Sequence, residues 1–176
     1  QGGRFGVRAM ALLLWVCVAA AAHGEDPAGE LAADEPGPDV PPSYRRVLQA
    51  TVDEARNKLL QASCLNVLGD FVDGGGGPLA ADLAATGQSA ADFLTRIHFS
   101  DGRWSGSCAV PGIFAWTHPG SHAVHLCLDR FAQLAHANPS AAANILIHEE
   151  LHALGLREDP PSSRVITSRV AVHCGH

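Results

Sequence analysis

Residues 148–158 read His-Glu-Glu-Leu-His-Ala-Leu-Gly-Leu-Arg-Glu, with two histidines four positions apart. On an α-helix, His148 and His152 lie on one face and one turn apart, so both imidazoles can bind a single metal ion. Glu149 lies on the flank of that face, where its carboxylate can take a proton from a water molecule at the metal. Glu150 points away from this face and is expected to be structural. The run therefore predicts a helical metal site, with two purely structural histidines as the alternative.

Helix signals bound this segment on both sides. Asn138 and Pro139 predict the helix start, as an N-cap followed by proline at the first helical position. Residues 140–154 contain no helix breaker, and Gly155 occupies the position of a left-handed C-terminal cap. The helix face opposite the histidines is apolar and is predicted to enter the core through Ile147, Leu151 and Leu154.

A third ligand has to come from outside the helix, because a catalytic zinc needs three protein ligands and an open position. In an unbroken helix, Glu158 would lie six residues, about 9 Å, beyond His152. Gly155 changes this expectation, since a left-handed glycine ends the helix and can turn the following residues back. Glu158 is therefore the preferred third ligand. Three alternatives remain, namely Asp159, which the following proline should hold extended, and His173 and His176.

The pattern His148-Glu149-x-x-His152-x-x-Gly155 resembles the first eight positions of the extended metzincin motif. Residues 147–161 also resemble small exported bacterial proteins in which this helix is followed by an acid-Pro-Pro-Ser segment. The resemblance implies a zinc-dependent endopeptidase of the zincin type that acts on peptide or protein substrates. It implies His148 and His152 as zinc ligands and Glu149 as the general base.

The chain departs from a standard metzincin at two points. Glu158 stands where metzincins carry histidine or aspartate, and the single methionine, Met10, lies in the predicted signal peptide. No methionine turn can therefore lie beneath the metal, and the resemblance is to a reduced zincin that keeps the catalytic helix. Zincins often use a tyrosine or histidine to stabilise the oxyanion, but the only tyrosine, Tyr44, lies in the predicted first helix and is a poor candidate.

The N-terminal residues predict export. Arg4 and Arg8 precede an apolar run over residues 9–22, and small residues follow, which is typical of a secretory signal peptide over residues 1–24. The run is too short to predict a membrane span, so we expect no stable membrane insertion of the mature chain. Residues 25–42 are rich in proline, alanine and acid and predict a disordered leader. Residues 43–176 are predicted to form the zincin-like domain, in the periplasm or outside the cell.

Charge excludes one class of partner. The net charge is −6, and removal of Arg4 and Arg8 with the signal peptide makes it about −8. An acidic chain with a single lysine and no basic cluster is a poor nucleic-acid binder.

Four cysteines remain after residues 1–24, and an even number in an exported chain predicts two disulfides. A structural zinc site is the weaker alternative, because no Cys-x-x-Cys pair is present. Three pairings are possible. The preferred one is Cys64–Cys108 with Cys127–Cys174, since the second bond would tie the C-terminal segment beside the strand that precedes the metal helix.

Hydrophobic periodicity predicts an α+β domain, with a short antiparallel sheet packed on helices that include the metal-binding helix. Predicted helices cover residues 43–63, with Ser43 as N-cap, then 79–85, 89–95, a short segment capped by Asp129, and 162–172. Predicted strands cover residues 96–100, 113–117 and 122–128, the last of them half-buried.

Overall fold

Eight α-helices and three short strands form within residues 39–175, the part of the chain that the computed structural model describes. The helices are α1 (Pro42–Leu59), α2 (Ala62–Leu65), α3 (Leu79–Ala85), α4 (Ala90–Leu94), α5 (Gly106–Ala109), α6 (Leu128–Ala137), α7 (Pro139–Ala153) and α8 (Ser163–Cys174), with a 3₁₀ helix at Asn66–Gly69. The strands are β1 (His98–Asp101), β2 (Ala115–Trp116) and β3 (Ala123–Leu126). The predicted signal peptide and residues 25–38 of the predicted leader lie outside the described residues.

Residues 39–42 are ordered, although the sequence assigned them to the end of the predicted disordered leader. Asp39 forms an isolated bridge with Ser100, and the side chain of Val40 is buried. Helix α1 then begins at Pro42 with Pro41 as N-cap, so Ser43 is not the cap that its hydroxyl suggested. Two prolines with φ near −65° can start the helix without a side-chain acceptor.

The predicted start of the metal-binding helix is confirmed. The Asn138 side chain accepts a hydrogen bond from the backbone N–H of Ala141, and Pro139 is the first residue of α7. Ser89 caps α4 through the backbone N–H of Asp92. At α6 the prediction was wrong by two residues, because Cys127 is the N-cap and Asp129 lies in the first turn.

The sheet is mixed, and the prediction of an antiparallel sheet was wrong. Its strand order is β1-β3-β2, with β1 parallel to β3 and β2 antiparallel to β3. Residues 102–122 separate β1 from β3 and are long enough for the crossover that parallel pairing requires. Strand β3 is buried along its whole length, and not on one face only, because Trp116 stacks on the outer side chain of His125.

Helix α7 lies at the centre of the domain and contacts α1, α6, α8 and β2. Its apolar face is buried as predicted, including Ile147, Leu151 and Leu154. Among the described residues, no helix is both long and apolar enough to cross a membrane.

All four predicted cysteines form disulfides, but the preferred pairing was wrong. The bonds are Cys64–Cys174 and Cys108–Cys127. The prediction assumed that the C-terminal segment lies beside β3, whereas α8 packs against α2, α7 and the 3₁₀ helix. Cys174 therefore meets Cys64 of α2, which leaves Cys108 of α5 to pair with the N-cap of α6.

Candidate metal centre

Three predicted ligands converge at the C-terminal end of α7. The Nε2 atoms of His148 and His152 are 3.0 Å apart. Oε1 of Glu158 lies 3.7 Å from Nε2 of His148 and 3.4 Å from Nε2 of His152. Within residues 39–175, these three residues form the group of histidine, cysteine and acidic side chains that could hold a metal ion.

The spacing of these atoms fits a zinc ion. A circle through the two Nε2 atoms and Oε1 has a radius of about 2.0 Å, which equals the usual zinc–nitrogen distance of roughly 2.0–2.1 Å. Two imidazoles and one carboxylate are also a donor set that catalytic zinc sites use. The residues present therefore fit a three-ligand zinc site with room for a further ligand.

Gly155 brings Glu158 back to the histidines, as predicted. With a φ of 108°, Gly155 ends α7 in the left-handed region. Its N–H donates to the carbonyl of His152, and the N–H of Leu156 donates to the carbonyl of Leu151, the two bonds of a Schellman cap. The chain reverses there, so Glu158 does not continue along the helix axis.

The glycine-rich segment over residues 73–78 supports this turn. The N–H of Gly74 donates to the carbonyl of Gly155 at 3.2 Å, and Asp73 accepts hydrogen bonds from Gly75 and Gly77. A Cβ added at Gly74 would lie 2.3 Å from the side chain of Arg157. A larger side chain at this position would therefore displace the exposed side chain of Arg157.

The other predicted third ligands do not join the group. Asp159 has a φ of 57°, so the expectation that Pro160 holds it extended was wrong; its N–H donates to the carbonyl of Pro161 in a tight turn. His173 lies at the far end of α8 and hydrogen-bonds Asp70 at 2.9 Å. His176 lies outside the described residues.

Each histidine has a second partner that fixes its ring. Nδ1 of His152 donates to the carbonyl of Leu156 at 2.8 Å, so its Nε2 keeps the lone pair that a metal needs. Nδ1 of His148 lies 3.1 Å from the hydroxyl of Thr167 on α8. Both contacts direct the Nε2 atoms toward the same point.

The protonation states also favour cation binding. Burial is the main cause that lowers the pKa of His152, so its imidazole is neutral at neutral pH. The nearby imidazole of His148 is the main cause that holds the pKa of Glu158 below its usual range, so its carboxylate is ionised. A neutral imidazole and an ionised carboxylate are the forms that bind zinc.

Glu149 is adjacent to the group but is not part of it. Its side chain is buried, with 5% exposed, and lines the same cavity as the three ligands. Burial, and secondly the charge of Glu158, raise the pKa of Glu149 to about 8. A cation bound beside it would oppose that rise. Glu150 is buried on the core side of α7, and burial raises its pKa well above the usual value, which fits the predicted structural role.

An open cavity of about 890 Å³ gives access to the site. Its floor is the metal-binding face of α7, and its walls come from the loop before β2, from β2 and from the start of α8. Tyr44 is not among the lining residues, because it faces a separate cavity between α1 and α6 and its hydroxyl donates to Asp129. The remaining histidines in the described part of the chain stay outside the metal group.

Sequence reasoning missed the contribution of α8, which places Ser163, Arg164 and Thr167 in the cavity wall. The weak helical pattern of residues 162–172 predicts a helix but not which side faces the histidines. The hydroxyl of Thr167, which lies beside His148, and the hydroxyl of Ser163, which lowers the pKa of Glu158, recur at a four-residue step. These two hydroxyls on one face of the predicted helix were the sequence signal that could have indicated which side of α8 faces the histidines.

Replacing Thr167 with valine should weaken zinc binding by about 10-fold, because the ring of His148 loses its orienting partner while the side-chain shape is kept. Competition with a chromophoric chelator at fixed pH measures the affinity. Thr167→Ser, which keeps the hydroxyl, and Ser168→Ala, at the next position on α8, should both bind zinc like the wild type. Equal affinity in Thr167→Val would show that the hydroxyl does not orient His148.

Comparison with protein-family models, with curated proteins and with solved structures finds no match to this chain.

Proposed function

We propose that the chain is an exported zinc-dependent metallopeptidase of the zincin type, which hydrolyses peptide bonds in peptide or protein substrates. The observation that carries the proposal is the convergence of His148, His152 and Glu158 on one point at the floor of an open cavity. Glu149 lies beside this point without contributing to the group. A metal site combined with a separate carboxylate is what metal-assisted hydrolysis needs.

In this proposal, each residue of the site has a separate role. His148, His152 and Glu158 hold the ion, and Thr167 and the carbonyl of Leu156 fix the imidazole rings. Bound zinc supplies Lewis acidity toward a peptide carbonyl and toward water. Glu149 accepts the proton of the attacking water and returns it to the leaving amine.

Two disulfides support the proposed export. Cys64–Cys174 and Cys108–Cys127 are consistent with an oxidising compartment, such as the periplasm or the extracellular space.

One observation favours a second candidate, a zinc-binding module without turnover. Among the described residues that line the cavity there is no tyrosine, and the only histidines are the two proposed ligands. Such a module would keep the metal site and the fold but lack the usual neutral donor to the oxyanion. A third reading, an envelope protein stabilised by its disulfides and without metal, requires the histidines to be structural.

Purified mature protein should contain about one zinc per chain by elemental analysis, and it should cleave members of a diverse peptide mixture, as detected by mass spectrometry. His148→Ala should lose most of the zinc. Glu158→Gln should weaken zinc binding and activity together, because a neutral amide is a poor zinc ligand. Absence of metal, or full zinc retention in His148→Ala, would favour the metal-free envelope protein. Zinc without any cleavage would favour the inactive module.

A further inference from the structure

The two walls of the cavity differ in chemistry. One wall is apolar and is formed by partly buried side chains of the segment that leads into β2, including Ile113, Phe114 and Trp116. Trp116 is held in place by stacking on His125 and by a hydrogen bond from its indole N–H to Ser105 at 3.0 Å. The opposite wall is polar and comes from the first two turns of α8.

Arg164 gives the polar wall its charge. Of the described residues that line the cavity, it is the only lysine or arginine. Its neighbour Ser163 and the proposed ligand Glu158 line the same cavity, so Arg164 shares that cavity with the metal group. Glu158 itself is directed toward His148 and His152 and is not within ion-pair distance of Arg164.

Among residues 39–175, no carboxylate lies within 4.0 Å of the Arg164 guanidinium, and Arg164 takes part in no hydrogen bond of its side chain. Other arginines are engaged: Arg103 with Asp101 at 2.8 Å, Arg169 with Asp70 at 3.8 Å, and Arg130 with backbone carbonyls. An exposed arginine is often simply solvated, but a cavity shared with the metal group makes this one available to a substrate.

We propose that Arg164 binds a carboxylate of the substrate, so that the site selects peptides carrying a carboxylate next to an apolar residue. The inference rests on the proposed peptidase function and adds the substrate class to it. A planar guanidinium matches a carboxylate with two parallel hydrogen bonds, while the wall containing Phe114 and Trp116 accommodates an apolar side chain. The carboxylate comes from one of two sources, the C-terminus of the peptide or an Asp or Glu side chain.

The test compares matched peptides derived from one sequence that the zinc-loaded protein cleaves. The free C-terminus is compared with the C-terminal amide, and glutamate is compared with glutamine at each position near the cleaved bond. We expect one of these carboxylates to raise kcat/KM about 10-fold over its neutral counterpart in the wild type. The peptide pair that shows this difference in kcat/KM identifies whether the carboxylate is the C-terminus or a side chain.

Arg164→Ala should bring the ratio between the two peptides close to one, and Arg164→Lys should keep part of the preference. Arg169→Ala is the matched control, because Arg169 lies on the same helix but is not among the cavity-lining residues, and it should keep the wild-type ratio. If Arg164→Ala slows both peptides equally and keeps their ratio, the arginine acts on the reaction itself and the specificity proposal is wrong.

Binding separates failure of this inference from failure of the peptidase proposal. For this measurement, matched pairs are made from several peptides of the diverse mixture, whether or not they are cleaved, and are labelled with a fluorophore. They are titrated with zinc-loaded Glu149→Gln protein that carries either Arg164 or Arg164→Ala. If the wild type cleaves nothing but binds the carboxylate peptide more tightly through Arg164, the peptidase proposal fails and this inference stands. If it cleaves both peptides at equal rates, the inference fails and the peptidase proposal stands. If the protein shows neither cleavage nor Arg164-dependent binding, both proposals are wrong.

Discussion

Replacing Glu149 with glutamine should leave about one zinc per chain and lower kcat for peptide hydrolysis by roughly 10²- to 10⁴-fold. Glutamine has nearly the same shape, so the buried position remains filled, but an amide cannot accept the proton of the attacking water. Zinc should stay because Glu149 is not one of the three residues that could hold the ion. Elemental analysis and the initial rate on a cleaved peptide measure the two quantities on the same sample.

The adjacent residue provides a matched control. Glu150 is 1% exposed and lies on the core side of α7, away from the cavity. Glu150→Gln makes the same chemical change one position further along and should keep both zinc and activity. Loss of zinc in Glu149→Gln would instead identify Glu149 as a ligand, and equal loss of activity in both variants would indicate general damage to the helix.

The parts of the site that follow from local sequence could be predicted. The start of α7 at Asn138 and Pro139 and its end at Gly155 depend on backbone preferences of single residues, and the structure confirms them. The shared face of His148 and His152 follows from the helical period alone. The return of Glu158 was a preference among four candidates, because a left-handed glycine permits a reversal without specifying how far the chain turns.

The parts that depend on contacts between distant segments could not be predicted. Strand direction in the sheet depends on the path of residues 102–122, and the alternation of apolar residues in β3 is compatible with parallel and antiparallel partners. The roles of Thr167 and Arg164 depend on how α8 packs on α7. That packing is determined by buried residues such as Ile166 and Val170 and by the Cys64–Cys174 bond. The sequence does not show which residues these side chains contact or which cysteine pairs with Cys174.

Removing the Cys64–Cys174 bond by the double change Cys64→Ser and Cys174→Ser should lower the free energy of unfolding by about 5 kcal/mol. The two cysteines are 110 residues apart, and a bond that closes so long a loop greatly restricts the unfolded chain. The change should be measured by urea denaturation of the mature protein at fixed pH. A loss of this size equals much of the stability of a small domain. The midpoint of unfolding should therefore lie at a far lower urea concentration in the variant than in the wild type.

The second disulfide is the control for this pairing. Cys108 and Cys127 are only 19 residues apart, so Cys108→Ser with Cys127→Ser should cost less, about 3 kcal/mol. The first pair also holds the end of α8, where buried Lys58 donates hydrogen bonds to Ser140 and to the carbonyl of Cys174. Its loss should therefore weaken zinc binding as well, since α8 carries Thr167. Thiol titration of denatured mature protein should find no free cysteine, and peptide mapping that finds Cys64 bound to Cys108 would contradict the pairing on which both values depend.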